Sequence, residues 1–403
     1  MTSSAGAGIT RAMDDALLNG LLPEGLRDGL PPHAQARERV VRWLQDHFEA
    51  SGYDLVAPPL VEFEAGLHGR VDAGQGDSSD AFRLLDPVSQ KTLIVRSDIT
   101  RQVARIASTR MSSQARPLRL SYTGSALRTR GTQLRPSRQV RQVGFELIGA
   151  KGLPAARELA QIIAAAFDGL DVPDLTFDLS FPGFIPALCA DFHLTVEQSE
   201  QVKRALDDKD AAGLCDLPSG IAAVFLDLLK AIGSPTQVVA AIDALDLPAS
   251  AKALWSKASA LVDVFAEGVG AERLHVDPGE VHGFSYQAGW ALSVFSSGIR
   301  GELGKGGAYV LTSGEDEEQA QGFTFYPDVF ADHLKPAAQK QRVCVPSRAV
   351  QSDILALQEA GYVVLRAVLE GVDFVSQAEA MGCDVIFDSG TVKTLKPASA
   401  STP

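Results

Sequence analysis

Cysteine is scarce in this 403-residue chain, and Cys189, Cys215, Cys344 and Cys383 lie far apart along it. No two of them stand at the short spacing of a zinc-ligand pair, and four are too few for a disulfide framework, so a reducing compartment and no structural metal are expected. Long apolar runs are missing as well. Nowhere do about 18 apolar residues follow one another, which argues against a membrane-spanning helix. The first twenty residues lack the basic start and apolar stretch of a secretory signal, so a cytoplasmic protein is expected. Positive charge is in deficit, with 37 Lys and Arg against 50 Asp and Glu, and the net charge is -13 at pH 7. Such a surface repels phosphate backbones and anionic lipid, which disfavours a general nucleic-acid binder.

Familiar catalytic signatures are also absent. There is no Gly-x-Ser-x-Gly elbow, no His-Glu-x-x-His pair and no Gly-x-Gly-x-x-Gly after a strand. Gly298 to Gly307 holds five glycines around Lys305, but a phosphate loop would need Gly in place of Ile299 and Ser or Thr in place of Gly306. The seven histidines are scattered, and His275 and His282 have no metal spacing. No catalytic residue, metal or cofactor is therefore assigned.

What is present is a chain 45% hydrophobic and 22% charged, with mean hydropathy +0.04, long enough for more than one packed core. Its charge reverses locally. From Arg96 to Gln142 there are eleven arginines, no lysine and one acid, Asp98, so this stretch carries +10 and the rest of the chain -23. The planar guanidinium suits carboxylate and phosphate recognition, while a solvated basic surface is the plainer account. Arg135 and Arg138 are candidates for contact with a partner or its anionic substrates.

Apolar periodicity predicts a helix from Ala34 to Ala50 stopped at Gly52, a strand from Tyr53 to Ala57 ended by Pro58-Pro59, and a hairpin over 81–96. A helix over 100–111 is followed by strands over 117–130 and 139–148 joined by a polar loop. A helix, a strand and a long helical stretch over 183–270 come next, and strand-like segments return over 274–295, 308–312 and 322–326. The expected class is α+β, a mostly antiparallel sheet with flanking helices and a helical insertion. Beyond Pro336, three short apolar strands alternate with helical stretches, the pattern of a small parallel α/β unit. The expected organisation is a disordered tail over 1–20, a main domain over 21–336 with its insertion at about 183–270, and a C-terminal domain over 337–397.

Three constellations stand out. In the strand over 139–148, alternation puts Val143, Phe145 and Leu147 on one face and Gln142, Gly144 and Glu146 on the other, with Gly144 leaving room for a ligand to lie over the strand. Arg128 and Arg130 share a face of the preceding strand. An exposed face carrying ordinary cross-strand charge pairs is the alternative. Arg96, Asp98 and Thr100 alternate where a strand runs into a helix. Asp98 either accepts from a ligand ammonium or caps the helix, or Ser97 caps while Asp98 serves a ligand.

The order of motifs resembles the catalytic core of class II histidyl-tRNA synthetases over about residues 21–330: Leu22-Pro23-Glu24-Gly25, Arg96-Ser97-Asp98-Ile99-Thr100 and Gln142-Val143-Gly144-Phe145-Glu146. The run from Asp98 to Ala107 is more specifically similar to the ATP phosphoribosyltransferase regulatory subunits, synthetase paralogues in histidine biosynthesis. The resemblance implies a class II synthetase-like fold. Its histidine pocket would fall on Asp98, Thr100 and Gln142 near the ammonium and Glu146 toward the imidazole, with Arg128, His282, Tyr286 and Tyr309 as further candidates. The chain departs from the synthetases where adenylation needs fixed cations: Arg130 replaces a glutamate, Pro327-Asp328-Val329 replaces the ATP-clamping arginine, and His282 to Gln287 loses an arginine and a tyrosine. The resemblance therefore implies a non-catalytic subunit partnered by short-form ATP phosphoribosyltransferase. It would form a dimer of its own within a hetero-oligomer, with L-histidine as candidate effector and no tRNA. A divergent histidyl-tRNA synthetase and a stand-alone histidine sensor are the alternatives.

Overall fold

The computed structural model describes residues 20–67, 80–131, 136–280, 287–313, 316–335 and 340–395. Its contacts fall into two compact units, one ending at Leu334 and one beginning at Lys335. The expected tail lies almost wholly outside the described residues.

Helix α1 (His33–Ala50) buries Val40, Val41, Leu44 and Phe48, the stripe that predicted it, and Gly52 at φ +82° turns the chain out of it. β1 (Asp54–Leu55) is cut short by Pro58-Pro59. β2 (Val61–Phe63), α2 (Glu64–Leu67), β3 (Arg83–Leu85) and β4 (Thr92–Val95) include a three-stranded sheet in the order β2-β4-β3. The Asp86 carboxylate accepts from the Val88 and Ser89 amides and holds the predicted β3–β4 turn.

After α3 (Thr100–Thr109) come β5 (Leu118–Leu127), β6 (Gln139–Ile148), α4 (Gly152–Gly169) and β7 (Leu175–Ser180). The predicted helical insertion is α5 (Phe184–Asp191), α6 (Val196–Asp207), α7 (Ser219–Lys230), α8 (Pro235–Asp243) and α9 (Ala249–Val269). β8 (Leu274–Asp277), β9 (Gln287–Ser296), β10 (Ile299–Ser313), β11 (Asp316–Phe325) and the single turn α10 (Pro327–Phe330) complete the first unit. Eight strands form one sheet in the order β1-β5-β6-β11-β10-β9-β7-β8, with β1–β5 and β7–β8 parallel and the remaining pairs antiparallel. The α+β expectation holds.

The sheet separates two cores. On one side Val143, Phe145, Leu147, Phe323 and Phe325 join α1, α4 and the insertion in a single apolar cluster. The insertion thus shares the main core rather than building its own. On the other side α3 packs Ile99, Val103 and Ala107 onto Leu120, Tyr122, Ile148 and Tyr309. The glycine-rich run predicted to bind no phosphate is part of β10, and it is close-packed: a Cβ on Gly306 would stand 2.1 Å from the Gly322 carbonyl oxygen, and one on Gly304 would stand 2.6 Å from the Phe323 ring.

The second unit holds β12 (Arg342–Val345), α11 (Gln351–Glu359), β13 (Val363–Arg366), α12 (Phe374–Ala380), β14 (Val385–Asp388) and β15 (Thr391–Thr394). β13, β12 and β14 are parallel as the β-α-β-α-β pattern requires, while β15, not foreseen, adds antiparallel to β14. Cys344 and Cys383, distant in sequence, are both buried in one small cluster as free thiols. Among the described residues no helix is long and apolar enough to cross a membrane.

Candidate ligand site

The residues singled out on β6 meet the segment between β4 and the first turn of α3 through side-chain hydrogen bonds. Glu146 is buried, and its Oε1 accepts from Thr100 Oγ1 at 2.9 Å and from the Tyr122 hydroxyl at 3.3 Å. Its Oε2 accepts from the Tyr309 hydroxyl at 2.7 Å. Four residues back on the same face, Gln142 Nε2 donates to Asp98 Oδ1 at 3.0 Å, and its Oε1 accepts from the Ile99 amide at 3.0 Å. Asp98, Thr100, Gln142, Glu146 and Tyr309, on which the resemblance places its pocket and all but Tyr309 of which alternation had set on shared faces, are brought into one buried network.

The cap alternative for Asp98 can be weighed by distance. The helix N-cap is Ile99 with no side-chain cap, the Thr100 amide reaches Asp98 Oδ1 only at 3.4 Å, and the shorter bond to Asp98 comes from Gln142. Ser97 caps nothing. Arg96 points elsewhere, donating to the carbonyls of Ser125 and Pro58 at 2.7 and 3.1 Å.

Glycines make this density possible, and one of them does so differently from the expectation. Gly144 does not leave an open floor. Its register partners are Tyr122 on β5 and Thr324 on β11, and the Tyr122 hydroxyl crosses over it to Thr324 Oγ1 at 2.7 Å. A Cβ there would meet that hydroxyl oxygen at 2.5 Å. Gly322, opposite Glu146, does the same for the carboxylate: an added Cβ would stand 1.7 Å from Oε2. Gly124, opposite Gln142, leaves room for the Arg96 guanidinium, since an added Cβ would stand 2.1 Å from its Nη2. Tyr122 and Thr324 are site residues that sequence reasoning missed. The signal was available, since pairing the two alternating strands puts Tyr122 directly opposite Gly144.

The electrostatics follow from burial. Removal from water pushes the Glu146 carboxyl up to about 7, the negative Asp98 adds to the rise, and hydrogen bonds from Tyr309, Thr100 and Tyr122 pull the other way. Burial first, and the Glu146 charge second, push the Tyr122 and Tyr309 phenols above their ordinary range. Among the described residues no arginine or lysine pairs with Glu146. The arrangement therefore suits a ligand that brings its own cation or N–H donor, for which a carboxylate in a dry site is a strong acceptor.

Arg128 is not drawn into this network. It lies just past the end of β5, and its amide donates to the Arg138 carbonyl at 2.8 Å. His282 and Tyr286 lie outside the described residues, as does Arg135. Much of the arginine-rich stretch is committed internally. Arg105 and Arg119 each take a carboxylate with two nitrogens, Glu62 at 2.5 and 2.7 Å and Glu158 at 2.7 and 2.8 Å, and Arg116 does so with Glu318. Arg138 is half-buried, pins the N-terminal lead-in through the Glu24 carbonyl at 3.1 Å and lies 5.0 Å over the Phe82 ring. Where the resemblance expects an ATP-clamping arginine, Asp328 binds Arg37 at 3.0 Å and the Arg141 amide at 2.5 Å. Among the described residues no group of three or more His, Cys, Asp and Glu is placed to hold a metal ion.

A sheet of this order belongs to the class II synthetase-like architecture, and the histidyl-tRNA synthetase family model matches residues 25–329. Within it, the chain belongs to the family of ATP phosphoribosyltransferase regulatory subunits. It is 37% identical over 376 residues to that subunit of Rhodospirillum centenum, covering 93% of this chain and 96% of the relative. The fold is similar to the ATP phosphoribosyltransferase regulatory subunit/histidyl-tRNA synthetase from Bacillus halodurans, with TM-score 0.74 and 21% identity over 89% of this chain and 96% of that one. It is also similar to a chain of the ATP phosphoribosyl transferase (HisG:HisZ) complex from Thermotoga maritima, with TM-score 0.54 and 15% identity over 72% of this chain and 97% of that one.

Proposed function

We propose that this chain is a non-catalytic subunit that assembles with short-form ATP phosphoribosyltransferase, supports the first step of histidine biosynthesis and carries feedback inhibition by L-histidine. The observation that carries the reading is the buried Glu146 carboxylate, served by hydroxyls alone, beside an ATP position where Asp328 stands in place of a cation. The synthetase resemblance puts the imidazole at Glu146 and the ammonium at Asp98, Thr100 and Gln142. Adenylation must balance charge developing on phosphates, and an acid tied to Arg37 and Arg141 works against it. Partnership is supported by the named complex from Thermotoga maritima, whose chain has a similar fold. A dimer of this chain within a larger hetero-oligomer, and a core over 21–336 with a separate C-terminal domain over 337–397, belong to the same reading.

Feedback requires that histidine bind the inhibited assembly more tightly than the active one, since equal affinity shifts nothing. Mixing the chain with the catalytic subunit and titrating histidine tests this directly. The rate falls with histidine, and Glu146→Gln raises the half-inhibiting concentration about tenfold, the equivalent of ~1.4 kcal/mol. An unchanged inhibition curve would move histidine to the interface with the partner. Histidine-dependent exchange of pyrophosphate into ATP by the chain alone would restore the synthetase reading.

A further inference from the structure

Behind the sheet, on the face opposite Glu146, lies a cavity of about 720 Å³ that neither the synthetase resemblance nor the histidine site uses. Its volume falls in the range of small-molecule sites. Its walls come from the first turn of α4, from α9, from the start of α5 and from the strands β9, β10 and β11. The inner surface is aromatic and aliphatic: Phe181, Phe184 and Trp290 are buried there, and the Trp290 indole N–H donates to Gln321 Oε1 at 3.2 Å.

The charge of the lining is one-sided. In a chain of net charge -13, no acid lines this cavity, while Lys151 and Lys257 both do. Neither lysine is in an ion pair among the described residues. α4 adds a third element. Its N-cap is Lys151, it has no side-chain cap and no acid in its first turn, and the amides of Gly152 and Leu153 face no acceptor among the described residues. Uncapped N-terminal amides carry partial positive charge and favour an anion. An apolar pocket with Leu153 and Leu254 at its surface and Phe181, Phe184 and Trp290 beneath, two exposed ammonium groups that have no ion-pair partner among the described residues, and a bare helix start therefore converge on one volume.

We infer that this cavity binds a small organic anion with an aromatic body, its ring against Trp290 and Phe184 and its acid group toward Lys151, Lys257 and the start of α4. The site is independent of the histidine site in chemistry: one takes a cation or N–H donor into a carboxylate, the other takes an anion into ammonium groups. The two nevertheless share strands, because Gln321 and Ala308 line the cavity while their neighbours Gly322 and Tyr309 contact Glu146 on the other face.

Two fluorescent probes of near-equal shape test the inference on the full chain: the anion 1-anilinonaphthalene-8-sulfonate and its neutral counterpart N-phenyl-1-naphthylamine. The sulfonate binds one saturable site and quenches tryptophan emission, since Trp290 lines the cavity and Trp255 packs on Phe181 and Phe184 in its wall. Ala260→Phe, which fills the cavity from α9, abolishes binding of both probes, with circular dichroism verifying the fold. The exposed Lys257→Glu weakens the sulfonate about fivefold and leaves the neutral probe unchanged, as expected for reversing one charge near a partly solvated anion. Displacement of the sulfonate by 1-naphthoate assigns a carboxylate head group, and displacement by 1-naphthyl phosphate assigns a phosphate. Sulfonate binding that survives Ala260→Phe, or a Lys257→Glu effect equal for both probes, overturns the inference.

Discussion

The two faces of β6 are separated by a single strand yet differ in their chemistry. On one, Phe145 packs against Phe48 and Tyr53 at ring distances of 4.9 and 5.0 Å, in a core that runs on through Phe323 and Phe325 into the helical insertion. On the other, Gln142 and Glu146 sit in a hydrogen-bonded network as dry as that core. Both faces are buried, so burial alone does not distinguish scaffold from site. What distinguishes them is how each compensates for leaving water. The apolar face gains from desolvation, while the polar face must answer every lone pair with a hydroxyl or an amide.

The strongest way to break the comparison is to empty the apolar face. Phe323 is 1% exposed and makes edge contacts with Phe167 and Phe325, so Phe323→Ala should cost about 3–5 kcal/mol in urea unfolding. A loss below about 1 kcal/mol would mean that the two faces do not differ in this way.

The next largest effect lies on the polar face and depends on pH. Glu146 titrates at about 7 when folded against an ordinary value of 4.5, so folding disfavours its charged form. Its destabilising contribution is absent below about pH 4.5, grows as pH rises through that window, and reaches about 3 kcal/mol by pH 7. The unfolding free energy of Glu146→Gln minus that of the unaltered chain should therefore rise by about this amount from pH 4.5 to 7 in the absence of ligand. A flat difference would show that the carboxylate ionises in place without penalty. The smallest effect sharpens the comparison rather than breaking it: Thr324→Val removes one partner of the Tyr122 hydroxyl and should cost about 1 kcal/mol, because Thr100 and Glu146 remain within its reach.

Much of this was legible in the sequence. The alternation of Val143, Phe145 and Leu147 with Gln142, Gly144 and Glu146 places residues on faces because the strand period is two, whatever the rest of the fold does. The stripe of Val40, Val41, Leu44 and Phe48 did the same for α1. Less was readable where pairing supplied the information. β10 runs from Ile299 through the glycine cluster, and its residues carry no alternation because Phe323 and the Gly322 carbonyl occupy the space their side chains would need. β15 is exposed along its whole length and held by pairing to β14, so no apolar pattern marks it. The meaning of Gly144 was read in the right place with the wrong occupant, since the strand shows that a side chain is missing and only the register shows that Tyr122 fills the gap.

Gly322 ties that register to the site twice over. An added Cβ would stand 1.7 Å from the Glu146 Oε2 and 2.8 Å from the Phe145 carbonyl oxygen, so no residue other than glycine fits beside the Glu146 rotamer seen here, and removing the carboxylate alone would not make room. One position on β11 thus guards both the pocket and the close approach of the two strands beneath it.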